Sequence, residues 1–221
     1  MHSCLEGIRL VAFDLDGTLI DSVPDLAAAV DVMLIERDLP PAGAALVRDW
    51  VGNGSHKLVE RALHYATGNV PDEATLDMAH TAFLEHYGRA PHSRTRVYPG
   101  VKKALMALKQ RGLILVLVTN KPHAFVAPIL DALSLAGYFE VTLGGDSLAQ
   151  KKPDPAPLRY MANRFNVPCE QCLMVGDSRH DMEAGKRAGF RTIAVPYGYN
   201  HGEPIIDSEP DLIVESLKEL V

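Results

Sequence analysis

Two aspartates one residue apart, Asp14 and Asp16, are the residues of this chain best placed to do chemistry. They follow the apolar run IRLVAF and precede Gly17 and Thr18. Side chains at i and i+2 of an extended backbone point to the same side, and glycine permits a sharp turn directly after them. Two adjacent carboxylates are unfavourable unless a cation or a shared proton offsets their charge. A strand end followed by a helix cap explains these residues only one at a time. Together with three later segments, the pair favours a site with a metal and a nucleophile.

Further polar groups follow later apolar, strand-like runs. Each has a plainer interpretation, because a threonine or an acid after a strand can cap a helix and a lone lysine is usually a solvated loop charge. Taken together, an acid cluster, a hydroxyl and a lysine suit a hard divalent cation and a phosphate. The groups are Thr119 and Asn120 after LILVLV, Lys152 in KKPDP, and Gly176, Asp177, Ser178 and Asp181 after CLMV.

The surrounding sequence predicts the elements that must position these groups. From about residue 98 onward, β-branched and aliphatic runs alternate with helical patterns, which indicates a parallel sheet covered on both faces. Residues 22–95 show helical spacing and no convincing strand. We predict an α/β fold, a doubly wound (Rossmann-like) core of residues 1–21 and 96–221, with a helical cap of residues 22–95 inserted after the first strand. Sites in such sheets form at the carboxyl ends of strands near a topological switch point.

Composition limits the classes of partner. The net charge of −6, without a basic stripe or a row of stacking aromatic residues, argues against binding to nucleic acid or anionic membranes. No apolar run is long enough to span a bilayer, and the N-terminus shows no signal-peptide pattern. Three cysteines are too few for a disulfide framework, and neither they nor the nine histidines form a metal-binding pattern. We therefore expect a cytoplasmic protein.

The order of these motifs resembles the haloacid dehalogenase-like superfamily and, within it, the phosphoglycolate phosphatase group. The resemblance covers essentially the whole chain. Likeness to the subgroup rests on VGNG at 51–54, TNKP at 119–122 and Lys152-Pro153. His180 stands where related sequences often carry Asn, a difference that we expect to be tolerated. The matching elements are DLDGT from Asp14 to Thr18, Thr119, Lys152, and Gly176-Asp177 with Asp181.

The resemblance implies a two-step phosphoryl transfer. Asp14 would attack phosphorus and form an aspartyl-phosphate. Asp16 would protonate the leaving alkoxide and then activate the water that hydrolyses the phosphoenzyme. Mg²⁺ would be held by the carboxylates of Asp14 and Asp177 and by the backbone carbonyl of Asp16.

The resemblance also implies a phosphate site. Thr119 and the amide of Asn120 would bind phosphate oxygens, together with amides near residues 15–17. Lys152 would neutralise charge on the phosphoryl group and on Asp14. The implied supporting residues are Asp181, beside the metal or Lys152, and Gly17, Thr18, Gly176 and Ser178.

Asp16 helps to choose a branch of the superfamily, because dehalogenases and phosphonate-cleaving members lack an acid at this position. We expect a phosphatase acting on a small phosphorylated metabolite, with 2-phosphoglycolate favoured by the resemblance. A sugar-phosphate phosphatase, an inorganic pyrophosphatase and a β-phosphoglucomutase-like isomerase remain alternatives. A non-catalytic phosphate-binding module is disfavoured because no catalytic element has lost its functional residue. The sequence leaves monomer and homodimer open.

The cap must recognise the rest of the substrate, since the core site addresses only a phosphate. Either Gly52-Asn53-Gly54 presents backbone amides and the Asn53 side chain to a small carboxylate, with Lys57 or Arg61 as a charge partner, or it is an ordinary turn between helices. Four apolar residues at helical spacings are expected to form the core of the cap and not to contact substrate. They are Met33, Met78, Phe83 and Tyr87.

Overall fold

The computed structural model describes residues 3–221, which contain eight strands and eight α-helices. The strands are β1 (Leu10–Phe13), β2 (Ile20–Asp21), β3 (Arg96–Val97), β4 (Ile114–Val118), β5 (Val141–Leu143), β6 (Cys172–Gly176), β7 (Arg191–Ala194) and β8 (Leu212–Ile213). The helices are α1 (Val23–Ile35), α2 (Gly43–Trp50), α3 (Ser55–Thr67), α4 (Glu73–Arg89), α5 (Val101–Gln110), α6 (His123–Ala132), α7 (Ala156–Arg164) and α8 (Arg179–Ala188).

Six strands form one parallel sheet in the order β5-β4-β1-β6-β7-β8. Strand β1 lies inside it, hydrogen-bonded to β4 on one side and to β6 on the other. The chain builds outward from β1 in both directions, so the carboxyl ends of β1, β4 and β6 border a topological switch point. The predicted doubly wound α/β core is confirmed.

Both faces of the sheet are buried, as the near-continuous apolar strands predict. Along β1, Val11 and Phe13 pack into one hydrophobic cluster, and Leu10 and Ala12 pack into another on the opposite face. All four are fully buried. Burial on both faces fixes the position of β1 in the sheet. It therefore also fixes the position of the polar residues that follow the carboxyl end of this strand.

Helices α1 to α4 lie between β2 and β3, which pair antiparallel as a two-residue ribbon. Buried Asp25, near the start of α1, accepts hydrogen bonds from the backbone N–H groups of Arg94 and Thr95 and from the hydroxyls of Ser93 and Thr95. The two connections of the helical block are thus tied to each other. We refer to residues 22–95 as the cap; the division into cap and core stays a prediction, and residues 1 and 2 lie outside the described residues.

Some details differ from the sequence prediction. Strands β2, β3 and β8 have two residues each, too few to produce a recognisable pattern. The placement of Met78 in the cap core is wrong, because its residue is 64% exposed, whereas Met33, Phe83 and Tyr87 are buried. The buried face of α4 consists of residues 76, 79, 83 and 87, and position 78 is out of register with it.

Residues 3–221 include no helix that combines the length and the apolar character needed to cross a membrane.

Candidate active site

Three buried carboxylates meet at the carboxyl ends of β1 and β6. One oxygen each of Asp14, Asp177 and Asp181 lies within 4.8 Å of the other two. The Nζ atom of Lys152 lies 2.8 Å from Asp14 Oδ1 and 2.6 Å from Asp181 Oδ1. Among the described residues Lys152 is the one cation paired with this cluster, so the three carboxylates retain excess negative charge.

Close backbone approach holds Asp177 in place. Its Oδ1 accepts a 2.7 Å hydrogen bond from the Thr18 hydroxyl, and its Oδ2 accepts a 2.6 Å bond from the Tyr199 N–H. Gly17 has a φ of +90°, and a Cβ atom there would lie 2.1 Å from Asp177 Oδ2. A larger residue at position 17 would therefore displace this carboxylate.

Asp181 combines a structural contact with a charged one. Its Oδ2 accepts hydrogen bonds from the Ser178 N–H (3.1 Å) and hydroxyl (2.7 Å) at the start of α8, while its Oδ1 faces Lys152. A Cβ atom on Gly176 would lie 2.3 Å from the Asp181 Cβ. The plain interpretation of Asp181 as a capping acid is therefore accurate for one oxygen, and the other orients the lysine.

The electrostatics of the cluster favour a bound cation. Burial raises the pKa of Asp14 to about 6 against the lowering effect of Lys152, and Asp181 adds to the rise. Burial, with repulsion from Asp181 and Asp14, also raises the pKa of Asp177 well above its ordinary value. A divalent cation would offset this repulsion, and a donor set made only of oxygens suits a hard ion such as Mg²⁺. The residues present fit such an ion.

Asp14 and Asp16 also line a cavity of about 40 Å³, which has room for only a few water-sized groups. On the core side Thr119, Asn120 and Lys121 complete its wall. Thr119 is buried, and its hydroxyl oxygen accepts a hydrogen bond from the Lys121 N–H. The hydroxyl does not cap α6, which begins at His123. Asp14 therefore borders both the acid cluster and the cavity.

The cap side of the cavity is mainly apolar. Its polar wall consists of Ser55 and the backbone of Gly52 and Gly54, at the N-terminal end of α3. The apolar side chains around the cavity, including Phe125 of the core, are Leu26, Val51, Leu58, Phe83, Tyr87 and Phe125. Phe83 and Tyr87 thus belong to the core of the cap and to the cavity wall.

Lys121 forms a buried ion pair that the sequence analysis missed. Its Nζ atom lies 3.1 Å from both carboxylate oxygens of Asp16 and 4.8 Å from the centre of the Tyr87 ring. Burial would lower the pKa of Lys121, but Asp16 and Tyr87 raise it above its ordinary value. The signal was its position two residues after Thr119, where a strand end presents alternate residues to one side.

Two polar residues that the sequence proposes in the cap do not line the cavity. The Asn53 Nδ2 atom lies 2.5 Å from Nε2 of His180, and the Asn53 carbonyl accepts a hydrogen bond from Lys151. Lys57 is exposed on α3 and pairs with Glu60. The structure brings Asn53 to the core surface and leaves Lys57 outside the site.

Several core groups hold the cap loop of residues 49–54. The Asn120 amide donates to the carbonyls of Gly52 (3.0 Å) and Lys152 (2.9 Å), and the ring of His201 contacts the carbonyl of Asp49 (3.0 Å). We call these contacts, together with those of Asn53, the cap–core latch. The latch places Asn120 between the cap loop and the segment that carries Lys152.

A family profile for haloacid dehalogenase-like hydrolases matches residues 8–189 of this chain. A phosphoglycolate phosphatase of Pseudomonas fluorescens is 50% identical over 218 residues, covering 96% of this chain and 78% of that protein. A phosphoglycolate phosphatase of Salmonella typhi is 45% identical over 233 residues, covering 98% of this chain and 92% of that protein.

The fold is also similar to that of a predicted phosphoglycolate phosphatase from Haemophilus somnus 129pt, whose crystal structure is known. The TM-score is 0.92 at 40% sequence identity, and the match covers 97% of this chain and 96% of the other. This similarity extends over the sheet and the helical block together.

Proposed function

The chain belongs to the haloacid dehalogenase-like hydrolase family, and we propose that it is a Mg²⁺-dependent phosphatase that hydrolyses 2-phosphoglycolate. The observation that supports this most directly is the joint placement of Asp14 and Asp16 on one small cavity, with Lys152 behind Asp14. The names of relatives at 45–50% identity favour phosphoglycolate over other small phosphoesters.

Asp14 is the proposed nucleophile. One of its oxygens contacts Lys152 and its side chain lines the cavity, so the carboxylate faces a phosphoryl group bound there. Attack on phosphorus forms an aspartyl-phosphate and expels the alkoxide of the substrate. Lys152 offsets the charge that accumulates on Asp14 and on the transferring group.

Asp16 is the proposed acid and base. Asp16 lines the same cavity as Asp14, and the leaving oxygen of the substrate would lie beside its carboxylate. In its protonated form Asp16 donates a proton to the departing alkoxide. The carboxylate that results takes a proton from the water that hydrolyses the phosphoenzyme, which restores the protonated form. A phosphate ester of an ordinary alcohol needs this proton, because an alkoxide is a poor leaving group.

The carboxylates of Asp14 and Asp177 and the backbone carbonyl of Asp16 would hold the metal ion, with Asp181 orienting Lys152 at its side. Bound Mg²⁺ would neutralise phosphate charge and orient the phosphoryl group for in-line attack. The Thr119 hydroxyl and the backbone amide of Asn120 bind phosphate oxygens from the other side of the cavity.

The size of the cavity supports a small substrate. A volume of about 40 Å³ with an apolar cap side holds only a few water-sized groups, so a small phosphoester requires the least opening of the cap. A hexose phosphate would require the cap to move away from the core and to remain there during reaction. The structure therefore favours glycolate over a sugar as the leaving group.

A substrate panel tests the proposal. Purified protein with Mg²⁺ should release phosphate from 2-phosphoglycolate with a higher kcat/KM than from pyrophosphate, hexose phosphates or nucleotides. Activity should be lost in EDTA and return with Mg²⁺, while Ca²⁺ should inhibit because it takes more ligands at longer distances. Full activity after exhaustive EDTA treatment would refute the metal assignment, and isomerisation of a hexose phosphate without phosphate release would favour a mutase.

A further inference from the structure

Among the residues that the structure describes, one buried lysine has no role in the proposed phosphoryl transfer. The side chain of Lys121 is 2% exposed and lines the cavity, and its pairing partner among the described residues is Asp16. Lys152 already serves Asp14 and Asp181. A lysine held in the wall of a small cavity at the cost of its hydration needs an explanation beyond solubility or surface charge.

Lys121 lies on the leaving-group side of the site. Its Nζ atom is 3.1 Å from both oxygens of Asp16, the residue that protonates the ester oxygen under the proposed function. An ester oxygen within hydrogen-bond distance of Asp16 is therefore at most about 6 Å from Nζ. Lys121 can reach atoms of the substrate that are attached to that oxygen.

We propose that Lys121 determines substrate specificity by binding an anionic group located one carbon from the ester oxygen. The inference rests on the proposed function, whose favoured substrate carries a carboxylate at that position. In 2-phosphoglycolate the carboxylate oxygens lie about 3 Å from the ester oxygen, so they bridge the gap between that oxygen and Nζ. A neutral sugar or alkyl group offers no such partner.

The surroundings of Lys121 strengthen this recognition. The ring of Tyr87 lies beneath the ammonium, and Phe125 packs edge-on against that ring with their centres 5.1 Å apart. Water is largely excluded from these side chains, so attraction between the ammonium and a carboxylate is stronger than at the surface. Lysine has three N–H donors. Two contacts go to Asp16 and a further one goes to the neutral Tyr87 side chain, which a substrate carboxylate, a stronger acceptor, would displace.

An experiment that changes both the protein and the substrate distinguishes recognition of the substrate carboxylate from positioning of Asp16. Wild type and Lys121→Met are each assayed with 2-phosphoglycolate and with 2-phosphoglycolamide, in which a neutral amide replaces the carboxylate. We expect Lys121→Met to lower kcat/KM for the acid by about 10- to 100-fold more than for the amide. Lys103→Met, an exposed change on α5, is the matched control and should leave both values unchanged.

The outcomes distinguish the two proposals. An equal fall of kcat/KM for both substrates overturns the specificity role and makes Lys121 a positioning residue for Asp16, while the proposed function stands. A wild type with no activity on 2-phosphoglycolate overturns the proposed function itself. If Lys121→Met does not fold, Lys121→Gln is assayed in the same way, since it too removes the charge.

Wild type alone provides a second test. The test uses two phosphate esters of ω-hydroxy acids, one with one methylene group and the other with three methylene groups between the ester oxygen and the carboxylate. The two esters place the carboxylate at different distances from the Lys121 Nζ atom. We expect kcat/KM to fall by at least about tenfold as the carboxylate moves beyond the reach of Lys121. Equal values for the two esters would overturn the assignment of Lys121.

Discussion

The core and cap sides of the cavity are held together by different kinds of contact. On the core side, ammonium and carboxylate groups meet at 2.6–3.1 Å, and glycines let the backbone approach the carboxylates so closely that a Cβ atom there would collide with them. On the cap side, apolar side chains form the wall, and single hydrogen bonds to backbone carbonyls, one of them from the Lys151 ammonium, fasten loop 49–54.

This difference suits the core to hold the reacting groups and the cap to admit and enclose the substrate. Buried charge pairs are costly to break, so the core contacts fix one arrangement of the reacting groups. The latch consists of a few individually weaker hydrogen bonds, and the cap connects to the core through the two-residue ribbon of β2 and β3. We therefore expect the cap to open and close over a core site that stays the same.

The largest effect should follow from changing the nucleophile. We expect Asp14→Asn to lower kcat by a factor on the order of 10³ or more, since an amide cannot attack phosphorus. The thermal unfolding midpoint in EDTA should not fall, because the change removes one of three mutually repelling buried carboxylates. The measurements are single-turnover kinetics and thermal denaturation.

The control for this change is Asp131→Asn, at an exposed position on α6, which should match wild type in both measurements. A folded Asp14→Asn protein that keeps more than about a tenth of wild-type kcat would contradict the nucleophile assignment. It would also contradict the conclusion that the fixed charged groups of the core carry out the chemistry.

The next effect depends on the leaving group. Asp16→Ala should slow phosphoenzyme formation from an alkyl phosphate by about 10²- to 10⁴-fold, and far less from an activated aryl phosphate that needs no proton. Single-turnover experiments isolate this first step, since Asp16 also serves the second. Equal slowing for both substrates would contradict the assignment of Asp16 as the acid, since the backbone carbonyl proposed to hold the metal is still present in Asp16→Ala.

The same contrast explains what could be predicted from the sequence. Polar groups such as Asp14, Thr119 and Asp177 follow apolar strands, and parallel strands bring their carboxyl ends to one edge, so residue type and order sufficed. The cap offered no such rule. Whether Asn53 or Lys57 reaches the cavity depends on how helices pack and on which way a loop turns, and helical spacing also misplaced Met78.

A smaller effect should distinguish the latch from a substrate site. Asn53→Ala removes the contact with His180, so we expect kcat/KM to fall by about 2- to 10-fold, and by the same factor for 2-phosphoglycolate and for a small aryl phosphate. Asn69→Ala, in an exposed turn of the cap, is the control. A loss confined to phosphoglycolate would instead support the sequence-based prediction that Asn53 contacts the substrate.

The smallest effect concerns the response of the latch to pH. Burial lowers the pKa of His180 to about 4, and neighbouring His201 adds to the shift. An unfolded histidine titrates near pH 6.5, so the folded protein binds fewer protons there. The stability that neutral His180 provides is complete above about pH 6.5 and is lost as the pH falls towards 4.

Replacing His180 should therefore make the protein less sensitive to acid. We expect the thermal unfolding midpoint to fall further in wild type than in His180→Asn between pH 7 and pH 5. The two falls should differ by a few degrees at most. An exposed change on α3, His64→Asn, should leave the pH response as in wild type. The core carboxylates are present in all three proteins, so the comparison isolates the change at position 180 together with its effect on neighbouring Asp181. Identical pH profiles for wild type and His180→Asn would show that the latch does not weaken on protonation and that the cap is fastened to the core by its other contacts.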